Sequence, residues 1–217
     1  MNIKRIMTYI MVLMFSFTDA MSQGIKMTPV KQVPERHVVS SNKGTVTKAS
    51  TQNATNKIVR GDLGIFELEG PVKSFTFKNE WGTTKRTFDR NGVWLTIDGK
   101  PLKTVYQKGM KRDAKGRLVK GIMDIDGNGE EYTYNAEGKV VKYYYHYFDT
   151  TEEDTYTYDS NGKLLKKHVV QGGMDAMEPY TETYEIVSKD KHGNWTKRNV
   201  ITGSERAVET RTIVYYE

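Results

Sequence analysis

The residues best suited to chemistry form an alternating run of oxygen-bearing side chains near the middle of the chain. Asp124, Asp126 and Asn128 occupy every second position, a glycine follows, and Glu130 comes next. Oxygens in this spacing can converge on one cation, and the glycine permits the sharp turn of a calcium loop. These four residues are therefore a candidate calcium site. The twelfth position is Asn135 instead of the usual Glu, and a plain hairpin turn is the alternative, because Asp-Gly and Asn-Gly favour tight hairpin loops.

Acidic residues are the only other candidates for catalysis. Glu152, Glu153 and Asp154 are adjacent, and paired carboxylates can perform acid–base chemistry on a sugar. Adjacent acids near a turn are also typical of a solvated surface. The sequence has four histidines without the spacing of a metal site, and it contains no nucleophile or phosphate-loop motif. The pattern favours a non-catalytic protein, unless distant acids meet in the fold.

A set of tyrosines forms the second candidate site. Its members lie two residues apart within short segments, so each segment places them on one face of a strand. They are Tyr132, Tyr134, Tyr143, Tyr145, Tyr147, Tyr156 and Tyr158. Tyrosine suits a half-buried surface because its hydroxyl needs a partner when buried. The tyrosines are either the core of a sheet or an exposed platform that binds sugar rings or a peptide.

The elements that must position these residues are marked by a recurring phrase. An aromatic residue is followed by Asp or Asn, two polar residues, Gly, usually a base, and an apolar residue. The copies cover residues 88–94, 112–118, 134–140, 158–164 and 189–195. The Asp or Asn can bond backbone N–H groups of a type I turn, and the Gly takes a left-handed conformation that closes a hairpin. The phrase therefore predicts chain reversals at Gly92, Gly116, Gly138, Gly162 and Gly193.

The segments between these turns alternate Tyr, Thr, Val and Ile with polar residues, as in residues 131–134, 154–158 and 210–216. This alternation is typical of half-buried strands. Turn residues recur every 8–12 positions, which favours an antiparallel meander. We expect an all-β fold of repeated hairpins without helices after the first segment of the chain.

The phrase Tyr158-Asp159-Ser160-Asn161-Gly162-Lys163-Leu164, together with residues 134–140, resembles the YD (RHS-type) repeat. Residues 190–195 look like a variant in small exported YD-like proteins of Bacteroidetes. The resemblance covers residues 88–198 and implies a β-repeat sheet without implying one activity. Several positions depart from the repeat. Arg112 and Lys189 replace the aromatic residue, Asn135 replaces Asp, and Val93 and Asn194 replace the base.

The chain divides into three parts by composition. Lys4 and Arg5 precede an apolar run that ends in small residues, which predicts a signal peptide over residues 1–22. Residues 23–60 are rich in Ser, Thr, Asn and Lys and predict a flexible linker. Residues 61–217 have the size of one domain. The chain has no Cys, so disulfides and lipoprotein processing are excluded.

The composition narrows the classes of molecule that the protein is expected to bind. The net charge is +6, which fits either a solvated outer face or binding to an anionic polysaccharide or lipid headgroup. Export argues against nucleic acid as a partner, and the mature form is predicted to have no membrane span. The sequence favours a module in the periplasm, on the cell surface or outside the cell that binds a glycan or an envelope protein without a cofactor, calcium aside. A glycan-active hydrolase and a structural surface or secretion component are the alternatives.

Overall fold

The computed structural model of the protein describes residues 61–174 and 176–217. The predicted signal peptide and linker lie outside the described residues. The described residues form one sheet of thirteen strands, each antiparallel to its neighbours. The strands are β1 Val72–Asn79, β2 Gly82–Phe88, β3 Trp94–Ile97, β4 Lys100–Pro101, β5 Gly109–Arg112, β6 Leu118–Ile122, β7 Gly129–Tyr134, β8 Val140–Tyr147, β9 Thr150–Tyr158, β10 Leu164–Gly172, β11 Tyr180–Lys189, β12 Trp195–Thr202 and β13 Glu205–Tyr215.

The predicted all-β meander is confirmed. Strands that are consecutive in the sequence are adjacent in the sheet, except β4 and β5. The last strand, β13, returns to pair with β1. The order in the sheet is therefore β4-β3-β2-β1-β13-β12-β11-β10-β9-β8-β7-β6-β5. The described residues also contain two helical turns that the sequence pattern did not predict. They are a six-residue 3₁₀ segment, Gly61–Phe66, and a four-residue helix, α1, Leu102–Val105. Both are too short to show an amphipathic period, which needs several turns.

The two edges of the sheet are close together because β4 and β5 are joined directly through α1. The sheet is therefore rolled, with a concave inner face and a convex outer face. The buried Asp62 lies between the two edges of the sheet. Its carboxylate accepts the N–H of Trp94 in β3 at 2.8 Å and the N–H of Leu118 in β6 at 2.6 Å. Arg112 in β5 pairs with the same carboxylate at 2.8 Å. One side chain thus bridges strands from opposite edges.

The core occupies the inner face of the roll. Phe66, Phe75, Phe88 and Trp94 pack with ring centroids 5.0–6.0 Å apart in tilted, edge-on and stacked arrangements, which suit aromatic pairs. The buried cluster continues around the roll through Leu118, Tyr132, Val140, Tyr143 and Tyr145.

The repeated phrases form the turns of one rim of the roll. In the copy at 158–164, the Asp159 carboxylate accepts the N–H groups of Asn161 and Lys163 at 2.9 and 2.8 Å. Gly162 has a left-handed φ of 74°, which only glycine adopts without strain. The corresponding glycines have φ of 79°, 77°, 88° and 86°. The predicted reversals at Gly92, Gly116, Gly138, Gly162 and Gly193 are all confirmed. We call this end of the roll the turn rim.

The other connections alternate with these turns and therefore lie at the opposite end, which we call the mouth rim. They join β1 to β2, β3 to β4, β6 to β7, β8 to β9, β10 to β11 and β12 to β13. The two rims differ because the turn rim is covered by the segment that precedes β1.

That segment, residues 61–70, is the N-terminal strap. The N–H of Asp62 donates to the carbonyl of Gly92 at 2.8 Å, and a side chain at Gly64 would meet the carbonyl oxygen of Gly138 at 1.9 Å. Near the end of the strap, the Asn194 amide accepts from Glu69 N at 2.8 Å and donates to Glu69 O at 2.9 Å. The strap thus crosses the turn rim and closes that end of the roll. Neither helical segment within residues 61–174 and 176–217 has the length and apolar character needed to cross a membrane.

Candidate functional site

The seven tyrosines predicted as a platform lie on the inner face of the rolled sheet. Tyr132, Tyr143 and Tyr145 are buried, with at most 8% of their surface exposed. Tyr134, Tyr147, Tyr156 and Tyr158 are half-buried and, except for Tyr158, pack against the same core. They share a face as the two-residue spacing predicts, but they do not form an exposed platform, because the roll turns that face inward. Their role in ligand binding stays a prediction.

Two of these tyrosines join successive repeats. Tyr134 donates its hydroxyl to the carbonyl of Leu118 at 2.7 Å, and Tyr158 donates to that of Val140 at 2.6 Å. In both cases the aromatic residue of one phrase reaches the apolar residue of the phrase before it. The base of the earlier phrase lies over the same ring, with Arg117 4.3 Å from the centre of Tyr134. The aromatic, basic and apolar positions of the phrase therefore all contribute to the contact that joins one repeat to the next.

The candidate calcium residues are divided between a turn and the core. Asp124 accepts the N–H groups of Asp126 and Asn128, both at 3.1 Å, and the amide of Asn128 donates to its second oxygen at 2.7 Å. Asn128 also accepts from Phe148 N at 2.7 Å. These bonds hold the β6–β7 connection, as the hairpin interpretation requires.

Glu130 does not face that connection. It is buried, and its carboxylate accepts the hydroxyls of Tyr106 and Tyr132. No group of three His, Asp, Glu or Cys side chains within the described residues is arranged to hold a metal ion. The structure therefore brings Asp124, Asp126 and Asn128 together and leaves Glu130 apart.

Acids from β9 and β11 do meet on the inner face. Lys167 of β10 lies between Asp154 and Glu182, with its Nζ 3.5 and 3.2 Å from their carboxylates. Tyr156 donates to Asp154 at 3.1 Å and Tyr184 donates to Glu182 at 2.6 Å. We call Asp154, Lys167 and Glu182 with these two tyrosines the inner polar cluster.

Two buried polar atoms in or beside the cluster have no hydrogen-bond partner among the described residues. Asp154 is 3% exposed, yet its Oδ1 has no hydrogen-bond partner within the described residues, and the hydroxyl of the opposing Tyr143 has none there either. Burial raises the pKa of Asp154 to about 6, Lys167 opposes that rise, and Glu152 adds to it. Buried polar atoms in native proteins are usually bonded to another protein group or to an ordered water.

Beside the cluster, a cavity of about 420 Å³ opens at the mouth rim. Its apolar walls come from the β1–β2 turn, the β10–β11 connection and the inner faces of β12 and β13, and comprise Trp81, Met177, Pro179, Tyr180, Val200 and Ala207. Its carboxylates are Glu80, Glu178, Glu182, Glu205 and Glu209, and its one basic side chain is Arg206. Burial raises the pKa of the Tyr180 hydroxyl to about 12, so this hydroxyl stays a neutral donor. We call this the mouth cavity.

Sequence reasoning did not identify the mouth cavity. Trp81 lies in a two-residue turn and Tyr180 follows the connection that interrupts the repeat period. The longer spacing between Gly162 and Gly193 was the available signal, because inserted loops often carry binding residues. The strands that face the β10–β11 connection are brought there by the pairing of β13 with β1. No local sequence pattern encodes that pairing.

The comparisons with known proteins agree with this architecture. The Teneurin YD-shell family model matches residues 72–190, from the start of β1 to just beyond β11, and these strands include most of the repeated turns. The chain matches none of the curated proteins. Because the family match covers more than half of the sequence and coincides with the repeat-bearing strands, the chain belongs to the Teneurin YD-shell family.

Proposed function

We propose that this protein is an exported, non-catalytic binding module of the bacterial cell envelope that holds a glycan in its mouth cavity. Residues 1–22 support export, since a basic start, an apolar run and small residues are typical of a secretory signal. The family supports a β-repeat module, and the ligand is proposed from the cavity.

The observation that carries the proposal is the pairing of aromatic faces with carboxylates in a concave site. The volume of about 420 Å³ lies within the range of small-molecule sites. Trp81 and Tyr180 contribute aromatic surface to the lining, which suits the C–H face of a sugar, and Glu178 and Glu182 contribute carboxylates, which suit its hydroxyls. In this proposal the ligand meets aromatic side chains at the mouth, and the seven predicted tyrosines lie on the inner face of the sheet.

The test is a titration of the full chain against a panel of soluble bacterial glycans by calorimetry. Tyr180→Ala removes a stacking face and should weaken binding at least tenfold. Tyr144→Ala is the matched control, because Tyr144 is exposed on the outer face. Equal affinities of the wild type and Tyr180→Ala would contradict the proposal, as would the absence of binding to every glycan.

A hydrolase is the second candidate, favoured by one observation. Asp154 combines a pKa of about 6 with an unpartnered oxygen among the described residues, near Glu152 and Glu182. A protonated carboxylic acid near an ionised one is what glycoside hydrolysis requires. Release of reducing sugar by the wild type that is lost in Asp154→Asn would establish this activity, and binding without release would reject it.

A further inference from the structure

The most exposed large apolar side chains of the described residues lie at the mouth rim. Ile125, Phe148 and Met174 are 81%, 63% and 90% exposed, and no other large apolar residue in the described part of the chain exceeds 53%. Single exposed apolar residues are common on proteins. These three, however, occupy successive connections of one rim, β6–β7, β8–β9 and β10–β11, and the turns of the turn rim carry no such side chain.

The three connections contact one another. The N–H of Phe148 donates to Asn128 Oδ1 at 2.7 Å, which joins the β8–β9 connection to β6–β7. A Cβ at Gly173 would lie 2.5 Å from the carbonyl oxygen of Asp149, so the β10–β11 connection packs directly on β8–β9. The exposed apolar side chains therefore belong to one continuous stretch of the rim. We call residues 123–128, 148–149, 173–174 and 176–179 the mouth arc.

Phe148 stands in the arc at a position that its backbone disfavours. Its φ is 52°, in the left-handed region, where a bulky residue is a genuine outlier. Residues with positive φ in a two-residue hairpin connection are usually Gly, Asn or Asp. The ring meets Tyr147 edge-on, with 4.5 Å between the ring centroids, and Phe148 still stays largely exposed. Such strain is concentrated at binding sites, so the exposed ring points to a contact made outside the domain.

The charge of the arc selects the partner. The arc contains four Asp and Glu and no Lys or Arg, and residues 121–138, 143–162 and 169–188 also lack Lys and Arg. Asp126, Asp149 and Glu178 are exposed, and none of them forms an ion pair within the described residues. An anionic membrane surface attracts basic and not acidic segments, and two such arcs would repel each other. The complementary surface is a basic one with apolar side chains.

We propose that the mouth arc is a docking surface for a second protein that presents Lys or Arg beside apolar side chains. Burial of the three apolar residues drives the contact, and the carboxylates select the charge of the partner. The surface is separate from the proposed glycan site, because Ile125, Phe148 and Met174 do not line the mouth cavity.

Fluorescence anisotropy of labelled peptides with the full chain tests the proposal. The probes are peptides of equal length that repeat Lys-Leu-Ser, Glu-Leu-Ser or Lys-Gly-Ser. We expect the first to bind at least tenfold more tightly than the other two, and to lose at least fivefold in affinity in high salt. The variant that combines Ile125→Ser, Phe148→Ser and Met174→Ser should bind it at least tenfold more weakly.

Two variants serve as controls. Val170→Ser, Val208→Ser and Val214→Ser together remove three exposed valines of the outer strand faces and should leave the affinity unchanged. Phe148→Gly separates binding from folding, because glycine accepts the left-handed backbone. It should not lower the midpoint of urea unfolding, and it should weaken peptide binding at least threefold.

Four results would overturn the proposal. They are no binding of the Lys-Leu-Ser peptide, equal binding of the Glu-Leu-Ser peptide, equal losses in the arc and control variants, and binding that Phe148→Gly does not weaken. Binding to phosphatidylcholine vesicles, or dimers in light scattering, that the arc variant abolishes would assign the surface to a membrane or to a second copy and also overturn it. Glycan titration of the arc variant should match the wild type, so failure of the glycan site is distinguishable.

Discussion

At the scale of single residues, a few buried polar groups define the geometry of the roll. Asp62 is fully buried and joins backbone N–H groups of β3 and β6 to the guanidinium of Arg112. Tyr134 and Tyr158 join each repeat to the one before it. These bonds connect positions far apart in sequence, so they fix which strands face one another.

Replacing Asp62 should therefore destabilise the domain strongly. Asp62→Ala leaves two buried N–H groups without their acceptor and Arg112 without its carboxylate partner, and we expect a loss of about 3–5 kcal/mol in the free energy of unfolding. Urea denaturation followed by tryptophan fluorescence measures it. Asp126→Ala is the control, because Asp126 is exposed and its loss should cost less than about 0.5 kcal/mol. Similar effects of both variants would contradict the bridging role.

The repeat-joining tyrosines allow a milder test. Tyr158→Phe keeps the ring and removes only the hydroxyl that donates to Val140, so we expect a loss of about 0.5–1.5 kcal/mol. Tyr134→Phe should behave alike, and the exposed Tyr144→Phe should have no effect. A neutral result at both inner positions would mean that the hydroxyls do not join the repeats.

At the scale of elements, the strap explains two of the five departures of the repeats from their pattern. Arg112 stands in an aromatic position and pairs with Asp62, and Asn194 stands in a basic position and bonds Glu69. Both departures therefore occur where the strap touches the turn rim. The strands, turns and reversals could be predicted because their signals are local. The strap could not, because its contacts join the chain to repeats that lie far along the sequence.

The fit of the strap predicts a large effect at one glycine. A Cβ at Gly64 would lie 1.9 Å from the carbonyl oxygen of Gly138, so Gly64→Ala must displace the strap or the β7–β8 turn. We expect a cost of about 3 kcal/mol or more in thermal or urea unfolding. Gly116→Ala is the comparison, since a Cβ there meets nothing within 4 Å and only its φ of 77° is unfavourable, which costs about 1–2 kcal/mol. The reverse order of the two costs would contradict the close packing of the strap.

At the scale of the whole molecule, the roll has one covered end and one open end, and this determines which candidate residues can meet a ligand. The period-two spacing correctly placed the seven tyrosines on one face, but it could not tell that the face curves inward. Likewise, Asp154 and Glu182 are distant in sequence and meet only because β9, β10 and β11 are neighbours.

The inner polar cluster should make stability depend on pH. Because burial raises the native pKa of Asp154 to about 6, above its unfolded value near 4, the native state binds this proton more tightly. The contribution to stability is present below about pH 4 and is lost as the pH rises through 6. We expect the free energy of unfolding of the wild type, relative to Asp154→Asn, to fall by on the order of 2–3 kcal/mol between pH 4 and 7. A constant difference across this range would contradict the shift.

The return of β13 to β1 also has a consequence for biosynthesis. The ribosome produces β1–β4 and β5–β12 before the strand that joins them, so β1 and β12 lack one neighbouring strand until β13 is made. The sheet is completed only when this strand enters between them, and pairing so distant in sequence is slow. The mouth cavity is therefore complete only after β13, which forms part of its wall, has been synthesised.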